Sequence, residues 1–115
     1  MTIERIGPGQ RFSQAVVHGG LVYLAGHVSH NAAAGVGEQT REILEALDHD
    51  LAAAGTDKSK LLTVYVWLSD ITTFDEMNAA WDAWVDHDHL PARATVEARL
   101  AGTGHKVEIG GMAAL

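Results

Sequence analysis

One short segment of the chain, PARATVE, carries side chains suited to holding an anionic ligand. Alternate residues of a strand share one face, so Arg93, Thr95 and Glu97 are expected to point the same way. The guanidinium of Arg93 is a planar, permanently charged fork that can donate two parallel hydrogen bonds to a carboxylate. The same spacing allows an internal ion pair between Arg93 and Glu97. Both interpretations stay open at this point, and Thr95 is either a ligand-binding hydroxyl or an ordinary β-branched strand residue.

Histidines offer proton transfer near neutral pH and metal binding. His27 directly follows Gly26 at a predicted strand end. It is either a catalytic proton relay or a surface residue, since seven histidines in one chain make a placement by chance easy. His87 and His89 lie two residues apart, which on a helix points them to different faces. We therefore interpret their segment as a solvated helix end and expect no metal ion.

Composition limits the class of protein. The chain has 115 residues, 47% hydrophobic and 20% charged, which predicts a single folded domain over residues 1–115. The absence of cysteine excludes disulfides and a cysteine nucleophile, and the net charge of −7 argues against nucleic-acid binding. No apolar run reaches the roughly 18 residues of a membrane span, and no secretory signal is evident. The glycines at 35 and 37 lack the Lys-Ser/Thr of a phosphate loop, so we interpret their segment as an ordinary loop. Taken together, these features predict a cytoplasmic protein without a cofactor and without nucleic-acid or membrane partners.

Hydrophobic periodicity predicts the elements of the first half of the chain. Two strand-like runs, Ser13–Val17 and Leu21–Ala25, flank His18-Gly19-Gly20, where glycines permit a tight turn. From Glu38 to Ala54, apolar residues recur at three- and four-residue spacing, which predicts a helix. Leu61–Leu68 is apolar at nearly every position, as in a central strand that is covered on both faces or buried in an oligomer.

The second half is predicted to contain one helix and two strands. The helix begins at Thr73, which forms a capping box with Glu76, and ends at Leu90-Pro91. Strands follow at Arg93–Arg99 and His105–Ala113. The predicted order, β-β-α-β-α-β-β, indicates an α+β fold with two helices on one face of a mixed sheet. Nothing in the chain is left to cover the other face, so we expect other subunits to bury it.

Several segments resemble the RidA/YjgF family of enamine/imine deaminases, whose older names include endoribonuclease L-PSP and translation inhibitor. They are the hairpin with Gly26, LLTVYVWLSD, FDEMNAAWDAW, PARATVE and KVEI, and together they span essentially the whole chain. The resemblance implies a chorismate-mutase-like fold of the bacillus type and a homotrimer with three clefts at the subunit interfaces. It also implies that Arg93 grips the carboxylate of a 2-imino or 2-aminoacrylate acid. Water then adds to the imine carbon, releasing ammonia and a 2-oxo acid.

The resemblance assigns further positions to the substrate site. Asn78 matches an asparagine of the family's site region, although it is equally placed to be an exposed helix residue. Thr95 occupies a position where many relatives carry cysteine. Gly26 matches the glycine that follows a site serine in the family, and Ala25 stands in place of that serine.

Two more substitutions remove polar groups. Phe12 stands where active deaminases have a tyrosine, and Gly110 stands where they have the glutamate that positions the attacking water. General acid–base assistance contributes about 10²- to 10⁴-fold to a rate, so weak deaminase activity is expected unless His27 or Glu97 replaces that glutamate.

Two functions therefore follow from the sequence. The first is an enzyme that hydrolyses enamines or imines, and the second is a non-catalytic trimer that binds or senses a small carboxylate. Ribonuclease activity or translation inhibition is disfavoured by the net charge of −7. A partner-binding scaffold is neither supported nor excluded.

Overall fold

The computed structural model describes residues 2–115, which form six strands and two α-helices. In chain order these are β1 (Glu4–Pro8), β2 (Ser13–His18), β3 (Leu21–Val28), α1 (Val36–Ala54), β4 (Leu61–Leu68), α2 (Phe74–Trp84), β5 (Ala92–Glu97) and β6 (Val107–Ala114). The predicted α+β class is confirmed. No helix within the described residues is long and apolar enough to cross a membrane.

The strands form one mixed sheet in the order β1-β2-β3-β6-β4-β5. Strands β4 and β5 are parallel, and the other neighbouring pairs are antiparallel. In the parallel pair, Val64 is in register with Arg93, and Val66 with Thr95. This register decides which face of the sheet each candidate site residue occupies.

Both helices pack on the same face of the sheet, as predicted. Alternate strand residues such as Val22, Val66 and Ile109 have no exposed surface, and they meet Leu47 of α1 and Met77 of α2 in one core. Helix α1 ends at Gly55, which adopts the left-handed conformation with φ of 90°. The core is therefore formed by the apolar stripe of each helix and by one face of the sheet.

The opposite face of the sheet has no cover within the described chain. Tyr23, Tyr65 and Val96 are 42%, 46% and 50% exposed there. The Tyr65 and Trp67 rings lie beside each other, with centroids 6.2 Å apart. An aromatic surface of this kind is typical of an interface between protein molecules.

Strand β1 was missed by the sequence prediction. Its residues are almost all exposed, it contains Pro8, and Gly7 adopts φ of 58°. Such a strand has no alternation of apolar and polar residues, and proline is tolerated because β1 lies at the edge of the sheet.

Helix α2 starts where it was predicted, with Thr73 as its N-cap residue, but the predicted capping box and the predicted end were wrong. Thr73 makes no side-chain cap; its hydroxyl donates to the Asp70 carbonyl at 2.7 Å. Glu76 accepts instead from the Gly37 N–H at the start of α1, at 2.9 Å. The helix ends at Trp84, six residues before Leu90, because the chain turns extended at Val85. Glu76 therefore links the two helices, whereas Thr73 closes a local turn before α2.

Candidate functional site

Arg93 lies on the helix-covered face of the sheet, against α2. Its register partner Val64 is a core residue, which places both side chains on that face. The guanidinium carbon lies 5.1 Å from the centre of the Trp81 ring and 5.8 Å from that of Phe74. Aromatic faces attract a cation at these distances, so the two rings hold the guanidinium in place.

The Arg93 guanidinium has no carboxylate partner within residues 2–115. Glu97 is not paired with it, because its carboxylate accepts the N–H of Ile71 at 3.0 Å. Burial lowers the pKa of Arg93 from its ordinary value, and the negative charge of Asp82 opposes that shift. The internal ion pair is therefore excluded, and a partly buried cation is left available for an anion.

Two polar side chains accompany Arg93. The hydroxyl of Thr95, on the same strand face, is buried and is the one such side-chain atom in residues 2–115 without a hydrogen-bond partner. Asn78 is half-buried and lies four residues after Phe74 and three before Trp81, on the same side of α2. We call Arg93, Thr95, Asn78, Phe74 and Trp81 the arginine group.

A second set of predicted residues meets on the open face of the sheet. Phe12, Ala25 and Gly26 line a cleft of about 390 Å³, together with Val28, Ala101, His105 and Glu108. The register between β3 and β6 shifts between Leu24 and His27, so Ala25 and Gly26 form a bulge that extends over β6. We call this the bulge cleft.

Glu108 is the residue of the bulge cleft that the sequence reasoning missed. It is in register with Trp67 and Val28, on the open face. Its carboxylate lies so close to Gly26 that a methyl group added there would overlap it. The available signal was its position two residues before Gly110, since alternate strand residues share a face.

Gly110 lies beneath the bulge. A Cβ atom added to it would lie 3.1 Å from the Ala25 carbonyl oxygen and 3.3 Å from the Gly26 Cα. These distances are tighter than ordinary contacts between carbon and backbone atoms. A side chain at position 110 would therefore require the bulge to shift by a few tenths of an ångström.

His27 is turned away from the bulge cleft, towards α1. It is 6% exposed, so the interpretation as a surface residue was wrong. Its Nδ1 lies 2.6 Å from the Ala25 carbonyl oxygen and its Nε2 lies 2.5 Å from Oδ2 of Asp50. Both ring nitrogens are thus engaged, which leaves neither free for a substrate.

The remaining histidine pair lies in the turn after α2. The Nδ1 of His89 is 3.0 Å from the Asp86 carboxylate, and the Nε2 of His87 is 2.8 Å from the Asp82 carbonyl oxygen. Across residues 2–115, no three His, Cys, Asp or Glu side chains gather as a metal site requires.

The arginine group and the bulge cleft lie on opposite faces of one sheet, so a single chain does not bring them together. Arg93 is on β5 at one edge, whereas Gly26 is on β3, separated from it by β6 and β4. The structure therefore divides the predicted site residues into two half-sites.

Comparison with known proteins gives the family. The family model described as Endoribonuclease L-PSP matches residues 2–115. A RutC family protein of Haemophilus influenzae is 46% identical over 110 residues, covering 95% of each chain. The RutC family protein YoaB of Escherichia coli is 42% identical over 109 residues, again covering 95% of each chain.

Solved structures agree with the sequence comparison. A YjgF family member from Neisseria meningitidis superposes with a TM-score of 0.93 at 41% identity, covering 99% of this chain and 95% of the other. A protein from Salmonella typhimurium described as a putative translation initiation inhibitor gives a TM-score of 0.91 at 38% identity, with 99% and 98% coverage. The chain therefore belongs to the YjgF/RutC family, whose family model is named Endoribonuclease L-PSP.

Proposed function

We propose that the protein binds small 2-oxo and 2-imino carboxylates at clefts between the subunits of a homotrimer and hydrolyses enamine or imine intermediates there. The products are a 2-oxo acid and ammonia. The observation that carries this proposal is the Arg93 guanidinium, which is held against two aromatic rings and has no carboxylate partner in the described chain.

A small organic anion is the ligand class that this arrangement favours. An unpaired cation that is partly buried has lost water without gaining an opposite charge, so an incoming carboxylate recovers that interaction. The flat fork of the guanidinium suits the two oxygens of a carboxylate. The net charge of −7 also disfavours long polyanions such as RNA, because the surface as a whole repels them.

The polar neighbours of Arg93 support the same class of ligand. The Thr95 hydroxyl lacks a partner, and an unsatisfied buried polar group costs about 1–3 kcal/mol. A ligand that accepts from this hydroxyl removes that cost. The Asn78 amide offers both a donor and an acceptor, which suits the oxygen or nitrogen on the second carbon of a 2-oxo or 2-imino acid.

The placement of the two half-sites supports an interface cleft. Arg93 and Gly26 lie on opposite faces of the sheet, and the aromatic open face around Tyr65 needs a cover. A neighbouring copy that packs on the open face would bring its own arginine group to the bulge cleft. A trimer closes such a head-to-tail contact into a ring.

Isothermal titration calorimetry with 2-oxobutyrate tests the binding half of the proposal. We expect Arg93→Ala to weaken binding by about 10- to 150-fold, because a hydrogen bond to a charged group contributes about 1.5–3 kcal/mol. Arg5→Ala is the matched control, since Arg5 is exposed on the edge strand β1. Equal affinity in the wild type and Arg93→Ala would remove the proposal.

Analytical ultracentrifugation tests the assembly. We expect a trimer at micromolar concentration, held by the open face. Tyr65→Lys places a charge on that face and should shift the distribution towards monomer, with weaker 2-oxobutyrate binding. A wild-type protein that sediments as a stable monomer would contradict the interface cleft.

One observation favours a second candidate, a non-catalytic carboxylate-binding trimer. Gly110 has no side chain with which to position water, and a side chain there would require the bulge to shift. The two candidates differ in a single measurement, the release of 2-oxo acid from a freshly generated imine. Binding of 2-oxobutyrate without any acceleration of that release would select the binding protein.

A further inference from the structure

We propose that His27 is a positively charged positioning residue, which holds the bulge of β3 in its ligand-binding shape and releases it when the ring loses a proton. This inference rests on the proposed function, because it takes the bulge cleft as one half of the ligand site. It makes the binding of 2-oxo acids depend on a proton that the ligand does not touch.

The bulge needs an anchor outside the ladder of strand hydrogen bonds. Two residues of β3, Ala25 and Gly26, face the single residue Gly110 of β6. Regular strand pairing cannot hold both residues of such a bulge. The Ala25 carbonyl oxygen lies 2.6 Å from Nδ1 of His27, so this side chain supplies the anchor.

This contact orients a whole peptide unit at the wall of the cleft. The Ala25 carbonyl and the Gly26 N–H belong to one planar unit, so holding the oxygen also fixes the direction of the N–H. Both residues line the bulge cleft. His27 therefore controls the backbone shape that a ligand meets, although its own ring is directed towards Asp50 of α1.

Both partners of the His27 ring are hydrogen-bond acceptors. Nδ1 faces the Ala25 carbonyl oxygen, and Nε2 lies 2.5 Å from Oδ2 of Asp50. A neutral imidazole carries one N–H and leaves a lone pair on its other nitrogen, whereas an imidazolium donates from both. The arrangement of two acceptors around one ring therefore requires the imidazolium.

The burial of Asp50 favours the same charge on His27. Asp50 is 8% exposed, and a buried carboxylate needs a positive charge close to it. Within residues 2–115 its ion-pair partners are two histidines, His27 and His49. His49 is exposed and lies 3.5 Å away, so the shorter, buried contact to His27 is the one that compensates the carboxylate.

Loss of one ring proton should free the bulge. The remaining proton stays on Nε2, because a carboxylate attracts it more strongly than a carbonyl oxygen does. Nδ1 then directs a lone pair at the Ala25 carbonyl oxygen, and their contact becomes repulsive. Ligand affinity should therefore be highest on the acid side of the His27 titration and decline as the pH rises through it.

Solvent has a route to the ring, and other titratable groups lie nearby. His27 lines a cavity of about 300 Å³ between Gln14 of β2 and Ala46 of α1. The titratable side chains around the bulge, apart from the pair itself, are Glu42, His49, Glu108, His105 and His30. Carboxylates lose their protons at lower pH than imidazoles do, so the other histidines are the groups to separate from His27.

Two measurements on the wild-type protein test the proposal. Nitrogen-15 NMR of the ligand-free protein should show protons on both ring nitrogens of His27, and the pH is then raised until one is lost. Calorimetry with 2-oxobutyrate is performed on both sides of that midpoint. We expect binding to be about two- to tenfold weaker on the alkaline side, as for the loss of one internal hydrogen bond.

Variants assign the decline to His27. His27→Gln has an amide that does not titrate, so it should bind with the weaker affinity throughout and show no alkaline decline. His49→Gln is the matched control, because it removes the exposed histidine beside Asp50 and should keep the wild-type profile. The decline should also persist in His30→Gln and in His105→Gln.

The outcomes separate this inference from the proposed function. A His27 ring that carries a single proton on the acid side would overturn the inference, and that result needs no variant. A 2-oxobutyrate affinity that is constant across the His27 midpoint, or that declines equally in His27→Gln, would also overturn it while the proposed function stands. Failure of the wild type to bind any 2-oxo acid would overturn both.

Discussion

His27 and Asp50 join the bulge of β3 to helix α1, with Nε2 and Oδ2 2.5 Å apart. His27 is 6% and Asp50 8% exposed, so the pair is shielded from water. The other ring nitrogen meets the Ala25 carbonyl oxygen. The histidine that sequence reasoning considered as a catalyst therefore holds the backbone of the bulge cleft in place.

Replacement of Asp50 should destabilise the fold strongly. Removing Asp50 leaves the buried Nε2 of His27 without its partner, and an unsatisfied buried polar group costs about 1–3 kcal/mol. We expect that loss in the free energy of unfolding for Asp50→Ala, measured by urea denaturation. His49→Ala is the control: His49 is exposed and lies 3.5 Å from the Asp50 carboxylate, so its removal should cost less than about 1 kcal/mol. Equal losses in the two variants would contradict a structural role for the buried pair.

Phe74 is expected to support ligand binding through Arg93. Its ring is 38% exposed and lies 5.8 Å from the guanidinium. Phe74→Leu keeps apolar bulk but removes the ring, and it should weaken 2-oxobutyrate binding by about two- to fivefold, in line with a cation–π energy of about 0.5–1 kcal/mol. Phe74→Tyr retains the ring and should bind like the wild type. Identical affinities of all three proteins by calorimetry would argue against the aromatic platform.

The Thr95 hydroxyl should have opposite effects on stability and on binding. Thr95→Val removes a buried hydroxyl that has no partner, so we expect the ligand-free protein to gain about 1 kcal/mol of stability. The same change should weaken 2-oxobutyrate binding. Thr95→Ser keeps the hydroxyl and should retain the affinity. A Thr95→Val protein that loses stability, with unchanged binding, would show that the hydroxyl is satisfied in the assembled protein by something other than the ligand.

A methyl group at position 26 should disturb catalysis more than folding. Gly26→Ala would overlap the Glu108 carboxylate, which is the far end of a flexible side chain and can move. A displacement of about 1 Å in a side chain that lines the site can cost about 100-fold in rate. We expect that loss in 2-oxo acid release, with 2-oxobutyrate binding retained. Gly37→Ala, where the added Cβ would lie at ordinary distances of 3.5 Å from Glu76, should leave both measurements unchanged.

Acid should weaken the fold through Asp70, whose carboxylate is hydrogen-bonded to Thr72. The Thr72 hydroxyl and N–H both donate to Asp70, which lowers the pKa of that carboxyl. The unfolded chain then binds a proton more readily than the folded one, so this contribution is complete above about pH 4 and declines as the pH falls through the lower folded pKa. Asp70→Asn keeps an acceptor without the titration, and its melting temperature should fall less steeply below pH 4. Parallel curves for the two proteins would contradict this assignment.

The local elements were predictable because their signals are local. The three- and four-residue spacing around Leu47 is sufficient to specify α1, and the apolar run Leu61–Leu68 matches β4 at both ends. Edge strand β1 escaped prediction because exposed residues leave no pattern. Glu76 was misassigned because its partner, the Gly37 N–H, lies on another helix.

The sequence by itself determined that Arg93, Thr95 and Glu97 share a face, because strand geometry repeats every two residues. It also indicated the family, through motifs along the whole chain. Only the tertiary structure decided that Arg93 rests on α2 without a carboxylate partner, that His27 is committed to Asp50, and that Glu108 reaches Gly26. These relationships depend on strand order, on a bulge and on the packing of distant segments, and no local periodicity encodes them.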